Sequence, residues 1–422
     1  MKQNRLFSSI YVIATAVSIA LTMTIFIIYY IKMAPIYPEY NRPEMMKVGP
    51  VKRYGKGNPG NWNMNMGTSY RMVKEILPSV PHVTEATGCH SYIYEGYEAS
   101  RPGETATLPV NPMFADAAFW RVFSFQFLQG KPFSEAEVDA SVPVAVVSAS
   151  LAQNLFAKTE VTGERLVLNG VEYRICGVVK DASNATPNSA ADLYLPLWLS
   201  PDVEDDRHAP GLMGNVSAYF LVDDAKHQAE VKLAVQRAVE QVNRQDSIYE
   251  YDLMGQPEDV FIASYRNFNE GADWWQDILK PILFLLVALL FIPALNLSGM
   301  ISSRMDDRLS ELGVRKAYGA NSRQLMQQVL TENLLLTLMG CLAGLLISYL
   351  IIYTSSDWIL TLFDRYVQQS AKSVDISPEM LFNPWIFLSV SALCLLLNGV
   401  SALVPVWHAL RRTIIYSLNT KR

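Results

Sequence analysis

Four stretches of this chain contain no charged side chain over about the 20 residues that a helix needs to cross a bilayer. They comprise residues 6–31, 281–303, 333–356 and 380–407. We therefore predict an α-helical transmembrane domain of four spans. The first stretch is longer than the core of about 7–15 residues in a cleaved signal peptide. Its last residues include two tyrosines, which suit a membrane interface, so we expect an uncleaved helix there.

The distribution of charge predicts the orientation of these spans. The N-terminus, residues 304–332 and the C-terminal tail together hold 11 basic and 4 acidic residues, whereas residues 33–280 hold 21 basic and 32 acidic ones. Positive charge stays on the cytosolic side of a membrane. Both termini and residues 304–332 are therefore predicted to be cytosolic, and residues 33–280 external. The net charge of −5 and the absence of a basic stripe give no sign of nucleic-acid binding.

The external segment mixes strand-like and helix-like patterns, which predicts a large α+β domain inserted between spans 1 and 2. Residues 142–148 are apolar, residues 149–157 have helical spacing, and the dipeptide at 169–170 is Asn-Gly. Asn-Gly indicates a hairpin, because both turn positions need positive φ. Further predicted elements are a helix over 68–77, a strand over 193–197, a helix over 225–242, and an irregular strand or loop over 35–62.

No constellation in the sequence indicates catalysis. The histidine, cysteine and carboxylate residues lack zinc-site spacing, and no serine or cysteine is placed to act as a nucleophile beside a histidine. The glycine-rich run at residues 55–60 lacks phosphate-loop spacing. We therefore expect no enzymatic activity and no cofactor in this chain. Two external cysteines, Cys89 and Cys176, can be joined or free, because spacing alone does not decide a disulfide.

The cytosolic segment 304–332 reads RMDDRLSELGVRKAYGANSRQLMQQVLTE. Its first half carries an apolar stripe at helical spacing, formed by Met305, Leu309 and Leu312. Gly319 ends this helix, and Asn321 with Gln324 fits a capping box for the next one. The second helix can run without a break into the third span, so a push on the first would move the second as a lever. The competing interpretation is a solvated charged loop.

Three residues at the third span are candidates for packing or coupling. Gly340 and Gly344 form a G-x-x-x-G motif, which allows close helix packing. Glu332 lies at the edge of the span, where a carboxylate usually faces protein partners. It pairs with a basic residue such as Arg323, meets an ATPase, or rests at the headgroup level, and the sequence leaves these alternatives open.

The run RLSELGVRKAYGANSRQLMQQVLTENLLL closely resembles the signature loop of FtsX-like permeases, the membrane subunits of MacB-type ABC transporters. The matching residues are Glu311, Leu312, Gly313, Arg315, Lys316, Gly319, Ala320 and Glu332. A separate set of runs is similar to the MacB-like periplasmic core domain: ADAAFWRVFSFQFLQGKPFSE, VPVAVVSASLAQNLFAK and GERLVLNGVEYRICGVVKDAS. The order of parts also matches, with one span, a large external domain and three further spans.

The resemblance implies three domains and a coupling helix that docks on an ATPase subunit. The domains are residues 1–32 (N-terminal tail and first helix), 33–277 (periplasmic core domain) and 278–422 (permease domain). The implied ATPase-coupling residues are Arg304, Arg308, Leu309, Glu311, Leu312, Gly313, Arg315, Lys316, Gly319 and Ala320.

The resemblance also implies a place and a set of partners. The chain is expected in the bacterial inner membrane, paired with a second permease subunit and with a cytosolic ATPase that binds ATP and magnesium. No G-x-x-x-x-G-K-[ST] motif occurs, so nucleotide chemistry is expected on a separate chain. In this family ATP binding drives external domains together, a process called mechanotransmission.

The outcome of mechanotransmission differs between members of the family. It is export of peptides or small molecules, lipoprotein release, or control of a cell-wall hydrolase. A periplasmic adaptor, outer-membrane channel or hydrolase would then be a further partner. The alternative function is a membrane-anchored receptor or scaffold that binds a ligand without ATP-driven work.

Overall fold

The structure is a computed structural model that describes residues 5–57, 63–91, 96–183, 185–266, 273–285, 287–288, 291, 314–315, 318–363 and 384–411. The chain forms two compact units. The helical unit comprises Met1–Tyr30, Leu279–Ile359 and Ile376–Arg422, and the sheet unit comprises Ile31–Ile278 with Leu360–Asp375.

The helical unit contains long apolar helices. Those described in full are α1 (Arg5–Met33), α7 (Ser322–Phe363) and α8 (Pro384–Arg411). Within the described residues, two segments are long and apolar enough to cross a membrane: Val12–Met33 and Arg323–Thr354. These cover the first and third predicted spans. The second, residues 281–303, lies mostly outside the described residues, so the count of four spans stays a prediction.

The sheet unit is built from short strands and a few helices. The strands are β1 (Met45–Val48), β2 (Val51–Gly55), β3 (Asn63–Met66), β4 (Val83–Ser91), β5 (Tyr97–Ser100), β6 (Leu108–Val110), β7 (Pro112–Ala115), β8 (Phe127–Gly130), β9 (Val144–Ser148), β10 (Arg165–Leu168), β11 (Val171–Val179), β12 (Leu193–Pro196), β13 (Ser217–Val222), β14 (Tyr249–Asp252) and β15 (Glu258–Asp259). The helices are α2 (Phe119–Val122), α3 (Glu135–Asp139), α4 (Ala149–Phe156), α5 (Gln228–Gln245) and α6 (Val260–Ala263).

One large mixed sheet organises this unit. Its strand order is β15-β1-β13-β4-β7-β12-β9-β11-β10-β5-β6, with β8 also on β11. The pairs β9–β11 and β7–β12 are parallel, whereas β1 is antiparallel to both of its neighbours. A small second sheet has the order β14-β2-β3. Helices accompany a mixed sheet, as the alternating sequence patterns predict.

The elements predicted around residues 142–180 are confirmed. β9 is buried along its whole length. Helix α4 follows at once, and its N-cap Ser148 accepts a hydrogen bond from the Leu151 N–H at 3.3 Å. The β10–β11 hairpin turns at Asn169 and Gly170, whose φ angles are 44° and 85°. Positive φ at both positions is what this two-residue turn requires.

The amphipathic helix predicted over residues 225–242 is also confirmed. A 3₁₀ turn, Ala225–His227, leads into α5. The buried side of α5 is formed by Val231, Val235, Val239 and Val242. This spacing of three and four residues places one face of the helix against the core.

Two predictions need correction. The segment 35–62 is more regular than predicted, because it contains β1 and β2. Three of the four β1 residues are buried, and β1 pairs with a strand on each of its edges. Strand partners distant in sequence, rather than a local sequence pattern, therefore stabilise β1. The helix predicted over 68–77 begins only at Tyr70, because Thr68 is held in β-bridges instead. It then widens to a π turn, Met72–Ile76.

The two external cysteines are free thiols. Cys89 lies in β4 and Cys176 in β11, four strands apart in the sheet order, which is about 19 Å at the usual strand spacing. A disulfide needs Cα atoms within about 7 Å. Burial raises the pKa of the Cys89 thiol to about 12 and that of Cys176 to about 11. The sequence leaves open whether Cys89 and Cys176 form a disulfide. In the structure they are two separate, buried thiols.

Candidate coupling site

A glycine marks the end of the helical turn that precedes α7. Gly319 has a φ of +93°, and the Ala320 N–H donates to the Arg315 carbonyl at 3.0 Å. A left-handed residue with such a six-to-one hydrogen bond is the Schellman ending of a helix. Only glycine adopts this φ without a steric cost. The helix break predicted at this position is confirmed.

The start of α7 is fixed by a cap. The Asn321 N–H donates to Gln324 Oε1 at 3.2 Å, and the Arg323 N–H donates to Asn321 Oδ1 at 3.4 Å. This reciprocal arrangement is a variant of the predicted capping box. From there α7 continues for 42 residues, roughly 63 Å at 1.5 Å per residue. The prediction of one helix running from the segment 304–332 through the third predicted span is confirmed.

The turn before α7 presents exposed groups that the sequence analysis missed. Tyr318 is 89% exposed and Val314 is 44% exposed. Arg315 donates from Nη1 to Gln328 Oε1 at 2.8 Å, so its guanidinium is held on the side of α7. An exposed tyrosine next to a left-handed glycine gives no periodic signal, which is why pattern analysis passed over it.

Most predicted coupling residues lie outside the described part of the chain. These are Arg304, Arg308, Leu309, Glu311, Leu312, Gly313 and Lys316. Arg315, Gly319 and Ala320 are described, and all three belong to the turn above. The coupling role of these residues therefore stays a prediction.

The suggested pairing of Glu332 with Arg323 is wrong. Both residues belong to α7 and are nine positions apart. At 100° per residue they point to opposite sides of the helix, and about 13 Å of rise separates them. Side chains on one helix meet at spacings of three or four. Pairing of Glu332 with another basic residue of segment 304–332, contact with an ATPase and a place at the headgroup level remain predictions.

The two glycines of the third span lie where α7 packs against α1. A Cβ added at Gly340 would lie 2.7 Å from Thr15 Cγ2, and one added at Gly344 would lie 2.7 Å from the Ala16 carbonyl oxygen. No real side chain fits at such distances. The next residue, Cys341, is buried with Ile19 of α1. The glycines thus permit a close approach of the two helices, as the G-x-x-x-G motif does in membranes.

At the start of the sheet unit, a buried ion pair holds the last turn of α1. Arg42 Nε lies 2.7 Å from Glu39 Oε2, and the two side chains are 3% and 0% exposed. Arg42 Nη1 also donates to the carbonyl oxygens of Ile31 at 2.5 Å and Ala34 at 3.2 Å. Carbonyl groups at a helix C-terminus lack hydrogen-bond donors within the helix. The Arg42 guanidinium supplies donors to these carbonyls. We call residues 31–44 the leading leg.

A second buried pair stands where the chain leaves the sheet unit. Arg266 Nη2 lies 2.5 Å from Glu258 Oε1, with side chains 4% and 6% exposed. Asp259 accepts from the Phe261 N–H at 2.7 Å and so caps α6. Burial raises the pKa of the Asp259 carboxyl, although its hydrogen bonds to backbone N–H groups act in the opposite direction. We call residues 254–266 the returning leg.

The leading and returning legs are joined to each other by the large sheet. β1 follows the leading leg and pairs antiparallel with β15 of the returning leg, with Met46 opposite Asp259 and Lys47 opposite Glu258. β1 also pairs with β13 along its whole length. The backbone pairing of β1 therefore holds the two legs to each other and to the sheet.

Long apolar helices together with a large mixed-sheet unit are features of a component of a membrane permease. Residues 8–245 of this chain match the MacB-like periplasmic core domain, and residues 283–414 match the FtsX-like permease C-terminal domain. The chain belongs to this family of ABC transporter permeases, whose permease components are not themselves enzymes.

Individual relatives are more distant. The ABC transporter permease YknZ of Bacillus subtilis is 25% identical over 55% of this chain and 54% of its own length. The macrolide export ATP-binding/permease protein MacB of Bdellovibrio bacteriovorus is 26% identical over 51% of this chain and 32% of its own. The alignments thus span about a third to a half of these curated relatives.

A solved structure gives a further comparison. The periplasmic region of MacB from Actinobacillus actinomycetemcomitans is 14% identical, with a TM-score of 0.34, over 49% of this chain and 89% of that one.

We predict that Arg42→Ala destabilises the sheet unit by about 3–5 kcal/mol, because it leaves the Glu39 carboxylate buried without its charged partner. Thermal or denaturant unfolding of the full chain, followed by tryptophan fluorescence, measures the change. The matched control is Arg101→Ala, which removes the half-exposed pair with Glu104 and is expected to cost less than about 1 kcal/mol. Equal effects of the two substitutions would contradict the role given to Arg42.

We predict that Gly344→Ala destabilises the helical unit by about 1–3 kcal/mol, because the added methyl overpacks the contact with α1. Gly399→Ala is the control, since an added Cβ there meets no described atom within 4 Å. Both positions lie inside apolar helices, so their backbone propensities are comparable. Unfolding of the full chain in detergent checks the pair, and a Gly399 variant as unstable as the Gly344 variant would refute the packing argument.

Proposed function

We propose that this chain is the permease subunit of an ABC transporter that couples ATP hydrolysis by a cytosolic ATPase to conformational work outside the membrane. The single observation that best supports the proposal is α7. This helix starts at a capped turn in the predicted cytosolic segment and continues without interruption through an apolar span. A rigid helix of this length carries a displacement from one end to the other.

The proposed topology has four spans in the inner membrane. Both termini lie in the cytosol, and residues 33–277 lie in the periplasm. The basic bias of residues 304–332 and of both termini supports it, because positive residues remain inside. The permease domain would comprise residues 278–422, with residues 1–32 as the N-terminal tail and first helix. The membrane is then the chain's permanent partner.

The proposed contact with the ATPase is the segment from Arg304 to Ala320. Within it, Tyr318 joins the residues predicted from the sequence. Tyr318 and Val314 are exposed apolar groups, and aromatic residues are favoured anchors of protein interfaces. The cap at Asn321 would pass a push on this turn into α7 rather than into a flexible joint. ATP and magnesium would bind to the ATPase alone.

The proposed output is movement of the sheet unit. Its leading and returning legs are each held by a buried Arg–Glu pair and are joined through β1 and β15. Such a connection would make the sheet unit move as one body when the membrane helices move. A second permease subunit would supply the opposing external domain.

The work done by this movement has three candidates. Export of peptides or small molecules is favoured by the names of relatives, which include macrolide and pyoverdine exporters. Lipoprotein release and control of a cell-wall hydrolase are the other two. A periplasmic adaptor, an outer-membrane channel or a hydrolase would be the corresponding partner. A receptor or scaffold without ATP-driven work is the alternative function.

The coupling proposal predicts that Tyr318→Ala and Leu312→Asp each reduce two quantities. The first is the amount of ATPase that copurifies with the tagged full chain from native membranes, and the second is the ATP turnover of the purified complex. The tyrosine variant loses an anchor, and the aspartate places a charge in the apolar stripe. Tyr353→Ala is the matched control, because Tyr353 is also exposed, at 77%, but lies 35 positions further along the chain. Retention of full ATPase recovery and turnover by both site variants would favour the receptor alternative.

The topology predicts where single cysteines react in a chain whose native cysteines have been replaced. Arg101→Cys should react with a membrane-impermeant maleimide in intact spheroplasts, because Arg101 lies on the external domain. Arg315→Cys should react only after permeabilisation. Labelling of residue 315 in intact spheroplasts would place the coupling turn outside and remove the basis of the proposed function.

A further inference from the structure

A cluster of two histidines and one aspartate lies on the surface of the sheet unit, far in sequence from the coupling turn. His82 precedes β4, Asp223 follows β13, and His227 ends the 3₁₀ turn that leads into α5. Because β4 and β13 are antiparallel, with Val83 opposite Val222, the sheet register brings the first two together. The Asp223 N–H also donates to the His82 carbonyl oxygen at 3.0 Å.

The three side chains are closely associated. His82 Nδ1 lies 2.8 Å from Asp223 Oδ2, and His227 Nδ1 lies 2.7 Å from Asp223 Oδ1. The two imidazole rings are stacked, with centroids 3.9 Å apart and planes at 27°. One ligand atom from each of the three groups lies within 4.8 Å of the others. Side-chain exposures of 30–42% leave the cluster open to solvent.

The electrostatic setting favours a cation. The Asp223 carboxylate lies between the two imidazoles, with one oxygen on each Nδ1. Glu230 of α5 adds negative charge near His82. Lys226 is engaged at 3.4 Å with Asp224. Two stacked imidazoles on one carboxylate repel each other when both are protonated, whereas neutral rings each offer a nitrogen lone pair.

We propose that His82, Asp223 and His227 bind one divalent transition-metal ion, with Zn²⁺ as the first choice. Imidazole nitrogen and carboxylate oxygen are zinc ligands, and three protein ligands with a water molecule complete a tetrahedral site. Coordination uses neutral rings, so a proton on the coordinating nitrogen moves to the other ring nitrogen or to solvent. Zinc–ligand bonds near 2.1 Å separate tetrahedral ligands by about 3.4 Å. The nitrogen and oxygen atoms, now 2.7–2.8 Å apart, must therefore part by about 0.6–0.7 Å, which exposed side chains permit.

The bound ion would add a further link among three elements that the side-chain hydrogen bonds of Asp223 already bring together. It would tie the start of β4 and the end of β13 to the turn that begins α5. A metal ion that binds the folded state more tightly than the unfolded state raises the free energy of unfolding. The proposal does not depend on the ATPase or on transport.

The test is a titration of the full chain, purified without a polyhistidine tag and stripped with a chelator, using ZnCl₂ near neutral pH. Isothermal calorimetry should give one saturable site per chain, and zinc should raise the melting temperature of the same sample. Titration with Co²⁺ should give a visible absorption spectrum of nitrogen and oxygen ligation. Absence of a saturable site in the native chain would overturn the proposal.

Substitutions of the proposed ligands test which residues bind the zinc ion. His227→Gln, and the double change His82→Asn with His227→Gln, should abolish the saturable binding. Asparagine is chosen because His82 has a φ of +68°, which asparagine tolerates. His208→Gln is the matched control, since His208 is an exposed histidine of the same unit, and it should bind as the native chain does. If His227→Gln keeps its unliganded melting temperature and still binds zinc with unchanged affinity, the ion is held elsewhere and the proposal fails.

Discussion

The sheet unit depends on one buried interaction, the ion pair between Arg42 and Glu39. Burying two charges is costly unless both are paired and their remaining hydrogen-bonding positions are filled. Here they are filled. The guanidinium reaches three backbone carbonyls besides the carboxylate, and Glu39 accepts further bonds from Ser189 and Asn188. The pair therefore joins the last turn of α1 to a region about 150 positions away in the chain.

The returning leg repeats this solution with Arg266 and Glu258, and β1 with β15 connects the two legs. A domain inserted into a membrane protein has two covalent attachments. If these moved independently, the displacement of one helix would be absorbed by the loop that follows it. Ion pairs and a shared strand pairing remove that freedom within the sheet unit. In the helical unit, the glycine face of α7 against α1 restricts sliding in a comparable way, because close backbone packing admits few alternative positions.

Features specified by a few adjacent residues could be read from the sequence. The Asn169–Gly170 turn, the α5 stripe, the break at Gly319 and the cap at Asn321 each follow from local backbone or periodic requirements. β1 and β15 could not be read in this way, because they have four and two residues and depend on partners about 200 positions away. The His82, Asp223 and His227 cluster escaped for the same reason: a strand register assembles it.

Cys89 and Cys176 have a consequence for how the protein reaches its native state. Thiols that are buried, four strands apart and weakly acidic form little thiolate, the species that reacts with oxidants and disulfides. The external unit thus reaches its folded state without a disulfide between these two cysteines, so neither a thiol oxidase nor a disulfide isomerase is needed to join them. Its assembly should proceed equally well in anaerobic and aerated cells.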